Sequence, residues 1–177
     1  MQTNELSIVK PHRKVSRTVT QNDIERVERE AKAMRAWMLK RADCVGLAHP
    51  QVDDTDPLAF FVTLEGANRV ILNPRVVHFS NKIIQSKEGC MTYPGHEHIY
   101  HDRHFSIVAE YEIIKANRLV RKRKFIDGFL AVVWQHEIDH LNGVYCYDNP
   151  NEKVEHLCDY GAGVNGDLCR ICKESCI

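Results

Sequence analysis

The chain has 177 residues, the length of one domain, with 24 basic and 24 acidic side chains. Zero formal charge excludes a globally electrostatic nucleic-acid binder, and 27% charged with 44% hydrophobic residues excludes wholesale disorder. The longest apolar run, Phe129 to Trp134, falls far short of the roughly 20 residues a membrane span needs. No apolar stretch near the N-terminus reads as a secretory signal.

Residues 1–19 are mixed and basic, with Lys10, His12, Arg13, Lys14 and Arg17. They read as an arm docked on the domain. Thr20 or Asn22 can cap a helix that runs to about Arg41, with Ile24, Val27, Ala31, Met34 and Met38 as its core-facing stripe. Gly46 and Pro50 break that pattern within 44–52, and 53–57 is a polar loop. Segments 58–64 and 69–77 read as strands joined by a turn at Gly66. Phe105, Ile107, Ala109, Tyr111 and Ile113 alternate with Glu110 and Glu112, which predicts a strand over 105–115. Segment 119–125 is its hairpin partner across Ala116-Asn117-Arg118. Asp127 then caps a second helix, and Asn142-Gly143 ends it.

Strands do not alternate with helices, so the fold class is α+β. An N-terminal helix, a mainly antiparallel β-sheet and a central buried helix make it up. Residues 1–150 are read as one domain and 151–177 as a cysteine-rich tail.

Residues 136–140 read His-Glu-Ile-Asp-His. On a helix, positions i and i+4 share a face, so His136 and His140 can aim two imidazoles at one metal ion. Glu137 lies about 100° round the helix and can reach a water there instead. The helix is apolar nearly all round, through Phe129, Leu130, Val132, Val133, Trp134, Ile138 and Leu141. Two histidines and a glutamate buried on it need partners, and a metal ion satisfies all three. A catalytic site of the zinc type takes three protein ligands and one open position. The residues alone leave the third ligand open among Glu155, His156 and Cys158 downstream and Cys90 upstream.

Three segments narrow the choice. They are Cys44-Val45-Gly46-Leu47-Ala48-His49-Pro50-Gln51, then Glu88-Gly89-Cys90-Met91-Thr92, then Gln135-His136-Glu137-Ile138-Asp139-His140-Leu141-Asn142-Gly143. In this order and spacing they resemble the motifs GxGLAxxQ, EGCxS and QHExDHLxG of the peptide deformylase family. Cys44 stands where that pattern has its first glycine, His49 where alanine is common, and Thr92 where serine is usual. His96-Glu97-His98 occupies the stretch where the family often has a basic residue that holds the peptide backbone.

The resemblance implies a metal-dependent hydrolase that removes the formyl group from N-formylmethionyl peptides of nascent proteins and releases formate. It implies Cys90, His136 and His140 as ligands of one divalent ion. Iron(II) is the expected physiological metal, with zinc, nickel or cobalt as alternatives. Glu137 is the general base, and Gln51 with the backbone N–H of Met91 would stabilise the oxyanion. Val45, Leu47, Val132 and Val133 are expected to wall the methionine pocket. Gly46 would let the backbone approach the substrate closely. Asp139 either orients a ligand histidine or pairs with an arginine, and His49 reads as a loop histidine, with a substrate contact as the alternative.

The rival readings are an HExxH zinc metallopeptidase with a downstream third ligand and a non-enzymatic zinc-binding module. Five basic residues lie between Arg118 and Lys124. They read as a charge-guarded edge strand, with transient contact to the ribosome as the alternative. The expected compartment is the cytoplasm, an organellar or virus-encoded origin being the alternative. Seven cysteines without a secretory signal argue against a disulfide framework. His156, Cys158, Cys169 and Cys172, with Cys176 spare, form a candidate second structural zinc site.

Overall fold

The computed structural model describes residues 6–64 and 69–148. The turn expected at Gly66 and all of the tail, with its candidate second zinc site, lie outside the described residues. In chain order the elements are α1 (Ile24–Met38), β1 (Gly46–Ala48), β2 (Phe60–Thr63), β3 (Arg69–Phe79), β4 (Ile83–Glu88), β5 (Ile99–His104), β6 (Ser106–Lys115), β7 (Arg118–Asp127) and α2 (Gly128–Leu141).

Five strands form one sheet in the order β1-β2-β3-β6-β7, every neighbouring pair antiparallel. β2 reads Phe-Phe-Val-Thr and is buried throughout, because both faces of the sheet are covered. On one face Phe60, Val62 and Leu72 pack with Val27, Ala31, Met34 and Met38 of α1. On the other, Phe61, Ile71, Ile107, Ala109, Tyr111 and Ile126 pack with Ala131, Trp134 and Leu141 of α2. Trp134 meets Phe61 and Tyr111 edge-on, each at 5.2 Å between ring centroids. Truncating such a ring to alanine costs about 3–5 kcal/mol.

The expected strands and helices are present with shifted ends. A 3-10 turn, Gln21–Asp23, leads into α1, and Asp23 accepts hydrogen bonds from the Thr20 backbone N–H and hydroxyl at 2.8 and 2.7 Å. The β6–β7 hairpin turns on Ala116 and Asn117 with φ of 49° and 56°, the backbone of a type I′ turn. Three strands did not follow from the pattern. β1 sits inside the segment read as a break, and β4 pairs with β5 as a separate two-stranded sheet.

The N-terminal arm is docked, as expected. Its backbone donates from Val9 to Gln51 O, Ser16 to Leu141 O and Arg17 to Pro57 O, all at 2.8–2.9 Å. Arg13 forms a paired salt bridge with Asp148, one limb at 2.6 Å. Arg17 bridges Asp23 and Asp56, and Arg26 bridges Asp53 and Asp56.

Candidate active site

Helix α2 ends in a motif that shapes the site. Gly143 has φ 73°, its N–H bonds His140 O at 3.0 Å, and the Val144 N–H bonds Asp139 O at 2.9 Å. This turn brings the Val144 carbonyl back to accept from His140 Nδ1 at 3.1 Å. Only glycine fits there: a Cβ on Gly143 would sit 2.7 Å from Arg13 O.

His136 and His140 lie one turn apart on α2, as their spacing requires. His136 Nδ1 lies 2.8 Å from Glu88 Oε2. With Nδ1–H of both rings directed at oxygen acceptors, the neutral rings would turn bare Nε2 lone pairs toward a shared metal ion. The two Nε2 atoms face each other at 3.0 Å, and Cys90 Sγ is 3.4 Å from His140 Nε2. The three ligand atoms lie within 4.8 Å of one another. Two imidazole nitrogens and a sulfur converging in a buried space need positive charge between them, which a proton or a metal ion can supply. The donor set, one thiolate and two imidazoles, therefore fits a divalent metal ion.

Cys90 is pulled toward the thiolate by a hydrogen bond from the Cys146 thiol, against the opposing effect of burial, and by the two imidazoles. Cys146 is itself buried, and nothing in the sequence pattern distinguished it from the tail cysteines.

Glu88 occupies the position that matters behind the histidines. It is 6% exposed and takes both Arg103 Nε and Nη2 at 2.7 and 2.8 Å besides His136. Burial would raise its carboxyl, but Arg103 and His136 outweigh it and hold the pKa at about 2. Glu88 is thus the carboxylate that orients a candidate ligand histidine. Asp139 takes the other of its two expected roles and pairs with Arg103 Nη1 at 2.6 Å. Gln135 clamps α2 to β5, accepting from His104 N at 3.0 Å and donating to His104 O at 2.9 Å.

Glu137 is 4% exposed, and its Oε2 has no hydrogen-bond partner among the described residues. Burial, the largest effect on it, pushes its carboxyl up to about 7. Gly46 faces it: a Cβ there would lie 2.4 Å from Glu137 Oε1. The close approach that Gly46 allows is to the Glu137 carboxylate, and Gly46 also lines the cavity at this site. Gln51 accepts from Ala48 N at 2.9 Å and donates to Thr92 Oγ1 at 3.0 Å and to Cys90 Sγ at 3.5 Å. His49 is not a loop histidine; it is 1% exposed, accepts from Leu58 N at 2.9 Å and contacts Glu30 at 2.8 Å.

A cavity of about 1010 Å³ opens onto these groups. Val45, Gly46, Gln51, Met91, Val132 and Val133 line it. Leu47 does not; it is fully buried in the core under α1. Trp37 and Phe129 add apolar wall that the motifs did not point to. Cys44 also lines the cavity, its thiol pushed up to about 12, chiefly by burial.

The polypeptide deformylase family model matches residues 8–156. Peptide deformylase 3 of Shewanella oneidensis is 34% identical over 127 residues, which covers 68% of this chain and 72% of that protein. The peptide deformylase of Borreliella burgdorferi is 32% identical over 146 residues, 78% of this chain and 84% of its own. The crystal structure of peptide deformylase from Thermotoga maritima superposes with a TM-score of 0.66 at 29% identity, covering 79% of this chain and 90% of that one. The match runs through all three motifs that meet at the Cys-His-His group and takes in nearly the whole described fold, and on that ground the chain belongs to the polypeptide deformylase family.

Proposed function

We propose that this enzyme hydrolyses the formamide of N-formylmethionyl peptides through a metal centre held by Cys90, His136 and His140. The observation that carries the reading is the convergence of those three donors beside Glu137, whose inward oxygen has no partner among the described residues. A divalent ion held there would act as a Lewis acid at a site of formal charge about +1 and would favour deprotonation of water near neutral pH. Iron(II) is the ion we favour, and zinc, nickel and cobalt suit the same donors.

Glu137 takes a proton from the attacking water and later delivers it to the departing amine. Water adds to the formyl carbon, the C–N bond breaks, and formate and a free α-amine leave. Gln51 Nε2 and the Met91 backbone N–H are the donors for the oxyanion. The long Gln51 contact to Cys90 Sγ is the one it can exchange for that oxygen. Glu88 and the Val144 carbonyl keep the histidine tautomers correct. Val45, Val132 and Val133, with Trp37 and Phe129, offer the methionine side chain an apolar wall.

Cys90 lies within reach of both histidines, which supports the deformylase ligand set over a metallopeptidase with Glu155 or His156 as third ligand; both of those lie outside the described residues. Residues 1–150 form the catalytic unit in this reading, with 151–177 as a tail that carries the candidate structural zinc. The enzyme would act in the cytoplasm. No helix among the described residues is long and apolar enough to cross a membrane. Contact with the ribosome would fall to β7, where Arg118 and Lys122 are exposed. Arg121 and Arg123 stand opposite Glu112 and Glu110, which serves a guarded strand edge equally.

The test is formate release from a formyl-Met peptide, with and without a chelator. Glu137→Ala should keep its metal and lose about 10²–10⁴ in kcat. Substantial turnover by that variant would overturn the assignment of the base, and no formate from the wild type would overturn the reaction.

A further inference from the structure

We propose that His49 is a positioning residue for the oxyanion step: its buried ring locks the turn that aims the Gln51 amide, by tying that turn to the approach of β2 and to α1. The inference rests on the deformylase reading and adds a residue to its machinery. Gln51 ends a three-residue 3-10 turn, His49–Gln51, that follows β1 directly. A turn this short has too few internal hydrogen bonds to fix itself. The aim of the Gln51 side chain also depends on the shape of the turn. Gln51 Oε1 accepts from Ala48 N at 2.9 Å across the turn, and that bond decides which way Nε2 faces. Nε2 then reaches Thr92 Oγ1 at 3.0 Å and Cys90 Sγ at 3.5 Å. Any loosening of the turn would therefore move the donor.

His49 supplies the support from outside the turn. Its ring is buried against Phe60 of β2, with 4.6 Å between the ring centroids. The Leu58 N–H can only donate, so His49 Nδ1 accepts from it at 2.9 Å and the ring proton sits on Nε2. Nε2 then donates to Glu30 Oε2 of α1 at 2.8 Å. Burial, the largest effect on the His49 pKa, lowers it and favours this neutral form. Glu30 is itself fixed by Arg26 Nε at 3.1 Å and Arg29 Nη2 at 2.9 Å. Both nitrogens of the ring are thus anchored, one beside the strand that pairs with β1 and one on the helix that covers it. His49 does not line the cavity, so it reaches the reaction through Gln51 and not through the substrate.

An oxyanion donor does its work only once the formyl carbon has become tetrahedral. Its misplacement therefore lowers kcat and kcat/KM together and leaves KM unchanged. Losing such a donor outright costs about 10²–10³ in rate, and a shift of about 1 Å costs about 100-fold. Without the imidazole the Gln51 amide is still present but less well aimed, so His49→Ala should lower kcat by about 10- to 100-fold.

The test is a double-mutant cycle on the metal-loaded full chain. It reads kcat and KM for formate release from a formyl-Met peptide, with metal content and Tm for each variant. His49→Ala should lower kcat, Gln51→Ala should lower it further, and the double variant should fall no lower than Gln51→Ala alone, because His49 acts through that side chain. KM and metal content should match wild type in all three. Glu30→Ala removes one anchor from a partly exposed helix position, so it carries the test should His49→Ala fail to fold. It should lower kcat by a smaller factor, and not at all in the Gln51→Ala background. Wild-type kcat in His49→Ala, Glu30→Ala or Gln51→Ala would overturn the proposal while leaving deformylation intact. So would a loss confined to KM, or losses that multiply in the double variant, since a merely structural role moves Tm and not the coupling. Absence of formate from the wild type would overturn the deformylase reading itself, and this proposal with it.

Discussion

Gly46 and Glu88 are single residues whose roles follow from distances the sequence could not give. Gly46 stood in a motif as a place of close approach, and the Glu137 carboxylate is one group that approaches it. In Gly46→Ala the new methyl would overlap Oε1, so the base must move. A misplacement of about 1 Å can cost about 100-fold in rate. The expected outcome is that loss in kcat with metal content unchanged, measured by elemental analysis beside formate release. Glu88→Gln removes the negative charge that holds His136 and leaves Arg103 without its buried partner. It should weaken metal affinity by about 10- to 100-fold in a chelator competition, and an unchanged affinity would show that the contact is only structural. The candidate metal-binding histidines were legible because i, i+4 spacing on a helix is local geometry. Cys90 became legible only through the family resemblance, since a lone cysteine reads equally well as a small buried apolar residue. Glu88 and Cys146 were not assigned roles, because each acts through a residue about 50 positions away.

At the scale of elements, the pattern found the strands that bury apolar side chains and missed the pair that buries polar ones. β4 reads Ile-Ile-Gln-Ser-Lys-Glu and β5 reads Ile-Tyr-His-Asp-Arg-His. Their inward residues include Ser86, Glu88, His101 and Arg103, so no hydrophobic alternation marks them. That hairpin backs the candidate metal group, and its Glu88, held by Arg103, is what fixes His136. The arm and α1 are joined by a different polar device, which makes a pH prediction. Arg17 holds the Asp23 carboxyl far below the usual range, and Asp53 is held at about 2. Burial raises Asp53, but the hydroxyl and N–H of Thr55 and the N–H of Asp56 outweigh it. Both folded-state values are depressed, so their stabilisation is complete above the unfolded value near pH 4. It is lost as pH falls through the folded value toward 2. Thermal unfolding should show Tm falling in that window from this cause. Arg17→Gln should lower Tm at pH 7 by about 2–4 °C, for a loss of about 1 kcal/mol on a chain of this size, and flatten the acid fall. A variant with the wild-type pH profile would show that the pair adds nothing.

For the whole molecule, both core clusters and the groups at the candidate metal centre lie, among the described residues, between residues 6 and 146. The last described tie is Asp148, which grips Arg13 and accepts from Tyr145 N at 2.6 Å. Through Arg13 it pins the arm against Gly143, the residue that closes α2 and sets the His140 carbonyl partner. A chain ended at Asn151 keeps that tie, so it should fold, bind one equivalent of metal and release formate at near the full-length rate. A chain ended at Tyr147 loses Asp148 and should bind its metal less tightly, because the turn behind His140 is no longer held from outside. Metal counting on the Asn151 form also decides the role of the tail. If His156, Cys158, Cys169 and Cys172 hold a structural zinc, the full chain carries two equivalents and the shortened one carries one. Equal counts would mean that these residues hold no ion, and the catalytic centre would then account for all the bound metal.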